Sequence, residues 1–499
     1  MSHTVKGNTK TVTRPVNITT SKLAESSSRT VLNTDTQIIP DALYIRQLSA
    51  TDSDNPNAIQ SKLGSDTDWV NIDEWPCVLT TQKIFLITNL KFTSNSNYFI
   101  IGSDGIEFDG KSFIIELDGF NNYGGLLENG KSSNTATANG KNNIIIKNLG
   151  IMTQSVLLAN SAGWIGRNYF GKNAKNNQIT NCFSTGNING QYSGGICGAN
   201  TGFVTANSKL TSSVYITRCY TIGNITDRYS GGIVGMSAGI NGGTVNVENC
   251  YSIGEISGQE AGGIFGFSAG YNQGNTKVTN CYTMGNITGS GSGGIYGSYA
   301  GKDNGKALIF NSYSRGKVLP GANDGFFGVN AGFNSSTDNV KAINSYQATG
   351  SWSEAQAKTN LLGYPSETSE IGSVWTSIEI NQPFLLSSFD NSNYNLNVLN
   401  EFSLTASNNY QTRPGIFDGY KYSLLNVSNS SGNQIPGSTI NSTTGVITLP
   451  GTTGSGSYIA SVVSMVNSNS KFGYNISKYP FKIITTPKQL MDFLKTTLK

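Results

Sequence analysis

The chain has 499 residues, enough for two to four domains, with 59 glycines, 13% charged residues and a net charge of +4. So mild a charge, without a basic cluster, gives no electrostatic footprint for nucleic-acid binding. No stretch approaches the roughly 18 consecutive apolar residues of a membrane helix, and the opening MSHTVKGNTKTVTRPV has no apolar core, so neither a membrane span nor a secretion signal is expected.

Residues 1–68 are polar, with Pro15, Pro40 and Pro56 and little periodicity, and read as an arm or attachment segment. One apolar patch in it, Ala42-Leu43-Tyr44-Ile45, is suited to docking. From Trp69 the pattern turns to short apolar pieces with turns between them. Examples are Cys77-Val78-Leu79, Ile84-Phe85-Leu86-Ile87, Tyr98-Phe99-Ile100-Ile101 and Phe113-Ile114-Ile115-Glu116-Leu117. The phrase from Tyr98 to Ile151 resembles the opening coils of pectate-lyase-type β-helices, with residues 129–142 as an exposed excursion.

Between Asn181 and Ser345 the chain repeats itself. NCFSTGNINGQYSGGICGANTG from Asn181 is followed by copies starting at Arg218, Asn249, Asn280 and Asn311, and INSYQATG opens a sixth at Ile343. The period is mostly 31 residues, and a fixed period of this size means a solenoid, propeller or array. Glycine at this density is too costly for helical repeats. A propeller blade needs about 40 residues or more. The repeat therefore predicts a parallel β-helix, one coil per copy.

Columns of like residues then acquire physical meanings. Ile179, Ile216, Val247, Val278 and Ile309 form one aliphatic row, Ile188, Ile225, Ile256, Ile287 and Val318 a second, and Ile196, Ile233, Ile264, Ile295 and Phe326 a third. Stacked about 4.8 Å apart, they would fill the bore. Asn181, Asn249, Asn280, Asn311 and Asn344 suit a bend with left-handed backbone, where their amides can bond up and down the column. Arg218 interrupts that column and is expected to mark an irregularity. Cys182, Cys219, Cys250 and Cys281 come singly, one per coil, and Ser312 and Ser345 continue them. Zinc sites use paired cysteines, so the row is expected to be reduced, metal-free packing. The neighbouring aromatics Phe183, Tyr220, Tyr251, Tyr282, Tyr313 and Tyr346 are expected to stack on the other side of the wall, with a sugar-binding strip as the alternative.

The Gly-Ile-x-Gly elements at Gly195, Gly232, Gly263 and Gly294 resemble the GLUG motif. That resemblance implies a right-handed parallel β-helix over residues 69–395, of the kind found in proteins of bacterial surfaces and large DNA viruses. It implies no shared active site. Residues 346–395 read as its cap, with a short helix after Ser353 and a Trp375-to-Phe389 ending. Residues 396–486 carry strands at sandwich spacing, and STTGVITLPGTTGSGSYIASVVS resembles the Ig-like domains of surface proteins. Residues 487–499 read as a C-terminal helix.

Chemistry is sparse. The single histidine is His3, in the arm. The strongest acidic cluster is Asp104, Glu107, Asp109, Glu116 and Asp118, but Asp-Gly pairs are also ordinary turn chemistry, and hydrolysis needs two carboxylates facing one bond. Phosphate-loop, dinucleotide and calcium-nonapeptide signatures are absent. No catalytic, cofactor-binding or metal residue is assigned. The expected role is a non-enzymatic structural or adhesive surface protein. The expected setting is the virion of a large DNA virus, built in the host cytoplasm. Its expected partners are other virion or surface proteins, a second copy of itself or a glycan. A polysaccharide-degrading enzyme on the same scaffold and a bacterial adhesin are the alternatives.

Overall fold

In this computed structural model the described residues are 38–49, 51, 57–131, 139–153, 155–318, 325–348, 352–364, 373–376, 385–386 and seven strands with short flanks between 401 and 483. They fall in two compact units. The expected C-terminal helix lies outside the described residues, as do residues 1–37 of the arm.

The first unit is a parallel β-helix, as the repeat predicted. Ten strands stack in order: Ala42–Gln47, Lys83–Leu86, Glu107–Leu117, Ile145–Met152, Asn177–Ser184, Ser213–Thr217, Thr244–Glu248, Asn275–Thr279, Lys306–Phe310 and Val340–Ile343. Each is parallel to the next. Nine steps of about 4.8 Å give a stack of about 43 Å. The alternation within a strand sets its faces. In Thr244–Glu248, Val245 and Val247 point into the bore while the residues between them face outward. Register then makes the columns real: Ile179 pairs with Ile216, that with Val247, then Val278 and Ile309, and all five are buried.

A second wall starts with Cys77–Leu79, Phe99–Ile101 and Leu127–Glu128. It continues through single bridges from Leu127 to Gly166, Cys197, Val234, Phe265, Tyr296 and Phe327. The Ile188, Ile225, Ile256, Ile287 and Val318 column is bridged rung to rung between the two walls.

The turn out of the first wall is the asparagine corner. Asn148, Asn181, Asn249, Asn280, Asn311 and Asn344 all have positive φ, between 44° and 54°. Asn181 Nδ2 donates to Asn148 Oδ1 at 2.8 Å, and Asn311 Nδ2 to Asn280 Oδ1 at 2.7 Å. Arg218 does not break the corner, contrary to expectation. Its φ is 52°, and its N–H donates to the Glu248 carbonyl of the next coil at 3.1 Å. Backbone hydrogen bonds from the neighbouring rungs hold the turn whatever the side chain.

Both ends of the stack are closed by chain that leaves the period. Ala42–Gln47, within the stretch read as an arm, is the first rung. Its outer edge pairs antiparallel with Ile59–Leu63, which pairs antiparallel with Val70–Asn71. An open rung would leave a row of unpaired N–H and C=O groups, and the reversed strands cover it. At the far end Ser353 caps the Glu354–Asn360 helix, accepting from the Gln356 N–H. Trp352 lies edge-on to Tyr313 and Tyr346, and Leu362 exchanges hydrogen bonds with the Asn311 amide. Of the expected Trp375-to-Phe389 ending, residues 375–376 and 385–386 are described, and Trp375 falls with the second unit.

The second unit is two antiparallel sheets. One runs Glu401–Leu404, Tyr410–Arg413, Ile447–Leu449, Thr439–Ile440, and the other Tyr420–Asn429, Gly456–Val466, Tyr474–Ile483. Val427, Tyr458 and Ala460 of the second sheet share a buried cluster with Ile447 and Leu449 of the first. Among the described residues no helix is long and apolar enough to cross a membrane.

Candidate functional site

The five acids of the sequence cluster do not converge. Glu107 and Asp109 lie on the first wall, where Lys147 of the next rung contacts them at 2.6 and 3.7 Å. A bulge at Lys111 and Ser112, both at positive φ, then carries the strand round the corner. Beyond it Glu116 and Asp118 share Lys91 at 3.5 and 2.8 Å. Asp104 stands apart, accepting from the Asn142 N–H and side-chain amide.

Asp109 is the buried one, and its place explains it. Its Oδ1 accepts from the Lys111 N–H and from Asn148 Nδ2, both at 2.9 Å, so it heads the asparagine column, and Lys111 Nζ sits 3.1 Å from its other oxygen. A glycosidase acid needs its pKa pushed up. Here the hydrogen bonds from Asn142 hold Asp104 below the usual carboxylate range, and Lys91 does the same to Asp118. Burial disfavours the Lys147 ammonium, but its hydrogen bond to Glu107 and the charges of Asp109 and Glu107 outweigh that and leave its pKa raised.

The cysteine row is a hydrogen-bonded liner of the bore. Cys182, Cys219, Cys250 and Cys281 are buried and free of disulfides. The Cys219 N–H points at the Cys250 sulfur and the Cys250 N–H at the Cys281 sulfur, both at 3.3 Å. The Cys281 N–H then donates to Ser312 Oγ and the Ser312 N–H to Ser345 Oγ. Each thiol also reaches the carbonyl two residues back, at 3.2–3.3 Å. The column therefore selects a small side chain with one donor and one acceptor, which is why serine continues it. Burial pushes the Cys182, Cys197 and Cys250 thiols up. Among the described residues, no three of His, Cys, Asp and Glu group as metal ligands.

The aromatic column stacks as expected, with centroids 4.8–5.1 Å apart and planes within 8° from Phe183 through Tyr313. Tyr251, Tyr282 and Tyr313 are fully buried. It is a packed layer, which removes the alternative of a sugar-binding strip at this column.

A different aromatic surface is open to solvent. The bridges through Val234, Phe265 and Tyr296 fix the register of the loops that follow. Three residues on from each bridge stand Tyr169, Asn200, Ser237, Ser268, Tyr299 and Asn330, all at positive φ between 55° and 61°. Two successive coils thus carry serine where Tyr169 and Tyr299 stand on others, and beside these serines lies a groove of about 320 Å3. It is lined by Met236, Ser237, Ile240, Phe267, Ser268, Tyr271, Tyr299 and Lys302. The Lys302 ammonium lies 5.5, 5.1 and 5.6 Å from the rings of Tyr271, Tyr299 and Phe333 and 4.0 Å from Asp303. Four rungs earlier Lys172 repeats this, 5.6 and 5.9 Å from Tyr169 and Phe203.

The sequence carries a signal for this groove. Lys172, Phe203, Ile240, Tyr271, Lys302 and Phe333 recur six residues after the bridging position, as regularly as the bore residues do.

No protein-family model matches the chain, and no curated protein matches it. Among solved structures it is similar to a candidate immunoglobulin A1 protease from Bacteroides ovatus, at 18% identity and a TM-score of 0.31, over 60% of this chain and 86% of that one. A likeness at that level carries no argument about this chain.

Proposed function

We propose that the chain is a non-catalytic structural or adhesive surface protein, a particle-surface component of a large DNA virus, whose β-helix holds distance and presents loops. The observation that carries this is the use made of the acids. Each acid of the cluster is tied to a lysine or to an amide of the neighbouring coil, and the buried one, Asp109, heads the corner column. General acid–base work needs groups within reach of one substrate and free to exchange a proton.

The rest of the chain supports the same role. Every coil is bonded to the next along its walls and corners, which suits a surface exposed to proteases. In the second unit the strand order is first, second, fifth, fourth in one sheet and third, sixth, seventh in the other. This is the order of an immunoglobulin constant-type sandwich and supports the Ig-like reading, a module frequent in adhesion. The viral setting is supported by the GLUG resemblance.

Two measurements test the proposal. Antibody labelling and mass spectrometry of purified particles from the source should find the chain at the particle surface. Incubation of the whole chain with a polysaccharide panel should release no reducing sugar or unsaturated product. Turnover abolished by Asp109→Asn would overturn the assignment. On the proposed reading Asp109→Ala instead costs about 2–4 kcal/mol of stability, since a buried hydrogen-bonded charge is lost from the corner.

A further inference from the structure

We propose that a second copy of this chain packs on the outer face of the first wall, its stack running the opposite way, to give a two-fold symmetric dimer. Such a dimer would form whether or not the chain sits on a particle.

Register lines up two columns of outward side chains on that face, one holding Glu107 and Lys277 and the other Lys147 and Glu248. With the ten strands of this wall counted as rungs from Ala42–Gln47, Glu107 is on rung 3, Lys147 on rung 4, Glu248 on rung 7 and Lys277 on rung 8. Glu248 and Lys277 are exposed and, among the described residues, in no salt bridge; the Lys277 ammonium lies over the Phe310 ring at 4.9 Å. Glu107 and Lys147 are paired within the chain, yet their side chains keep 28% and 31% of their exposure. The middle rungs carry neutral exposed groups, Gln178 on rung 5 and Tyr215 on rung 6.

A two-fold axis parallel to the strands reverses the order of the rungs and leaves each column facing itself. Only one register then overlaps all ten rungs, with rung 1 on rung 10 and rung 5 on rung 6. That register is fixed by overlap alone, and its charges match. Glu107 falls opposite the second copy's Lys277 in one column, and Lys147 opposite its Glu248 in the other. By symmetry each pair occurs twice, Gln178 and Tyr215 meet beside the axis, and Tyr44 meets Ile343 at the ends. Keeping the rungs in the same order would instead bring each charge to the level of its own like. Opposite charges across an interface set register and partner choice, and a two-fold interface has to be self-complementary in this way.

The area is sufficient. A stack of about 43 Å and strands of about five residues give a face of roughly 700 Å2 per copy. A stable interface buries about 800 Å2 of each partner. The rungs are already fixed by interstrand hydrogen bonds, so the face is formed before the second copy arrives and little ordering cost opposes association.

Analytical ultracentrifugation of the full chain should find a dimer at about 50 μM, far above the dissociation constant of a standard-size interface. Lys277→Glu sets carboxylates against each other between copies and should weaken the dimer at least tenfold. Its circular dichroism spectrum should match the parent's, because the side chain is exposed. Cysteine pairs test the direction. Positions 83 and 308 share a column, on rungs 2 and 9, so they lie about 34 Å apart within one chain but opposite each other between copies. The double variant Lys83→Cys with Leu308→Cys should give a covalent dimer with a short thiol cross-linker, while neither single variant nor the parent does. A monomer at that concentration, a dimer indifferent to Lys277→Glu, or single variants that cross-link as well as the double would each overturn the proposal. None of these results bears on particle labelling, so their failure leaves the surface role standing.

Discussion

Arg218 shows how much of the corner geometry belongs to the backbone. It sits at φ 52° in a column where its neighbours are asparagine, and an ordinary side chain pays about 1–2 kcal/mol for that conformation. Arg218→Asn is expected to stabilise the chain by about 1 kcal/mol in urea denaturation, by relieving that strain and joining Asn181 to Asn249 in one amide column. The buried thiols give a second residue-scale prediction. Burial raises the folded-state pKa of Cys182, Cys197 and Cys250 above the ordinary 9.0, so the unfolded chain releases these protons first. Their contribution is intact below pH 9 and declines as pH rises beyond it. The slope is about 1.4 kcal/mol per pH unit for a single thiol. Denaturation midpoints measured from pH 8 to 10, with a Cys250→Ser control, check this. The window closes near 10, where unfolded tyrosines begin to ionise, Tyr123 and Tyr296 being buried and raised in the fold.

At the scale of one coil, a tight constraint is the glycine row Gly223, Gly254, Gly285 and Gly316. A Cβ on Gly254 would run into the carbonyl oxygen of Gly223, and one on Gly285 into that of Gly254. Backbone blocks it, not a movable side chain, so the coils would have to separate. Gly254→Ala is expected to cost about 3 kcal/mol or more, while Gly325→Ala, which would meet none of the described residues within 4 Å, should change stability by less than about 0.5 kcal/mol. Thermal melts of the two variants side by side test whether contact between coils, and not glycine's flexibility, fixes this position.

For the whole β-helix the prediction concerns additivity. Adjacent coils present the same rows to one another, so deleting residues 249–279 joins Glu248 to Asn280 and lets Val247 stack on Ile309. A stack held by nearest-neighbour contacts should survive this, folded and with one interface fewer. The urea m-value is expected to fall by about a tenth, one rung in ten. Loss of the cooperative transition would show that the coils are not interchangeable.

The 31-residue period and its aliphatic rows determined the β-helix, its bore and its corners, because stacking places like positions over one another and only repeated small, branched or amide residues can fill such columns. The cysteine row was legible for the same reason, since serine replaces cysteine in it. What lies outside the bore was not legible. The Tyr251 column, aromatic on every coil, and the Tyr271 column, aromatic on three of six, recur with equal regularity in sequence, yet Tyr251 is buried and Tyr271 half-buried. An outward ladder is covered or left free by segments that have no period, such as Trp352 against Tyr313. The acids behaved likewise. Five within 15 residues look like one cluster, and only the corner at Lys111 and Ser112 sets Glu107 and Asp109 apart from Glu116 and Asp118. The groove beside Ser237 and Ser268 was decided in three dimensions too, where two neighbouring coils lack the ring that Tyr169 and Tyr299 carry.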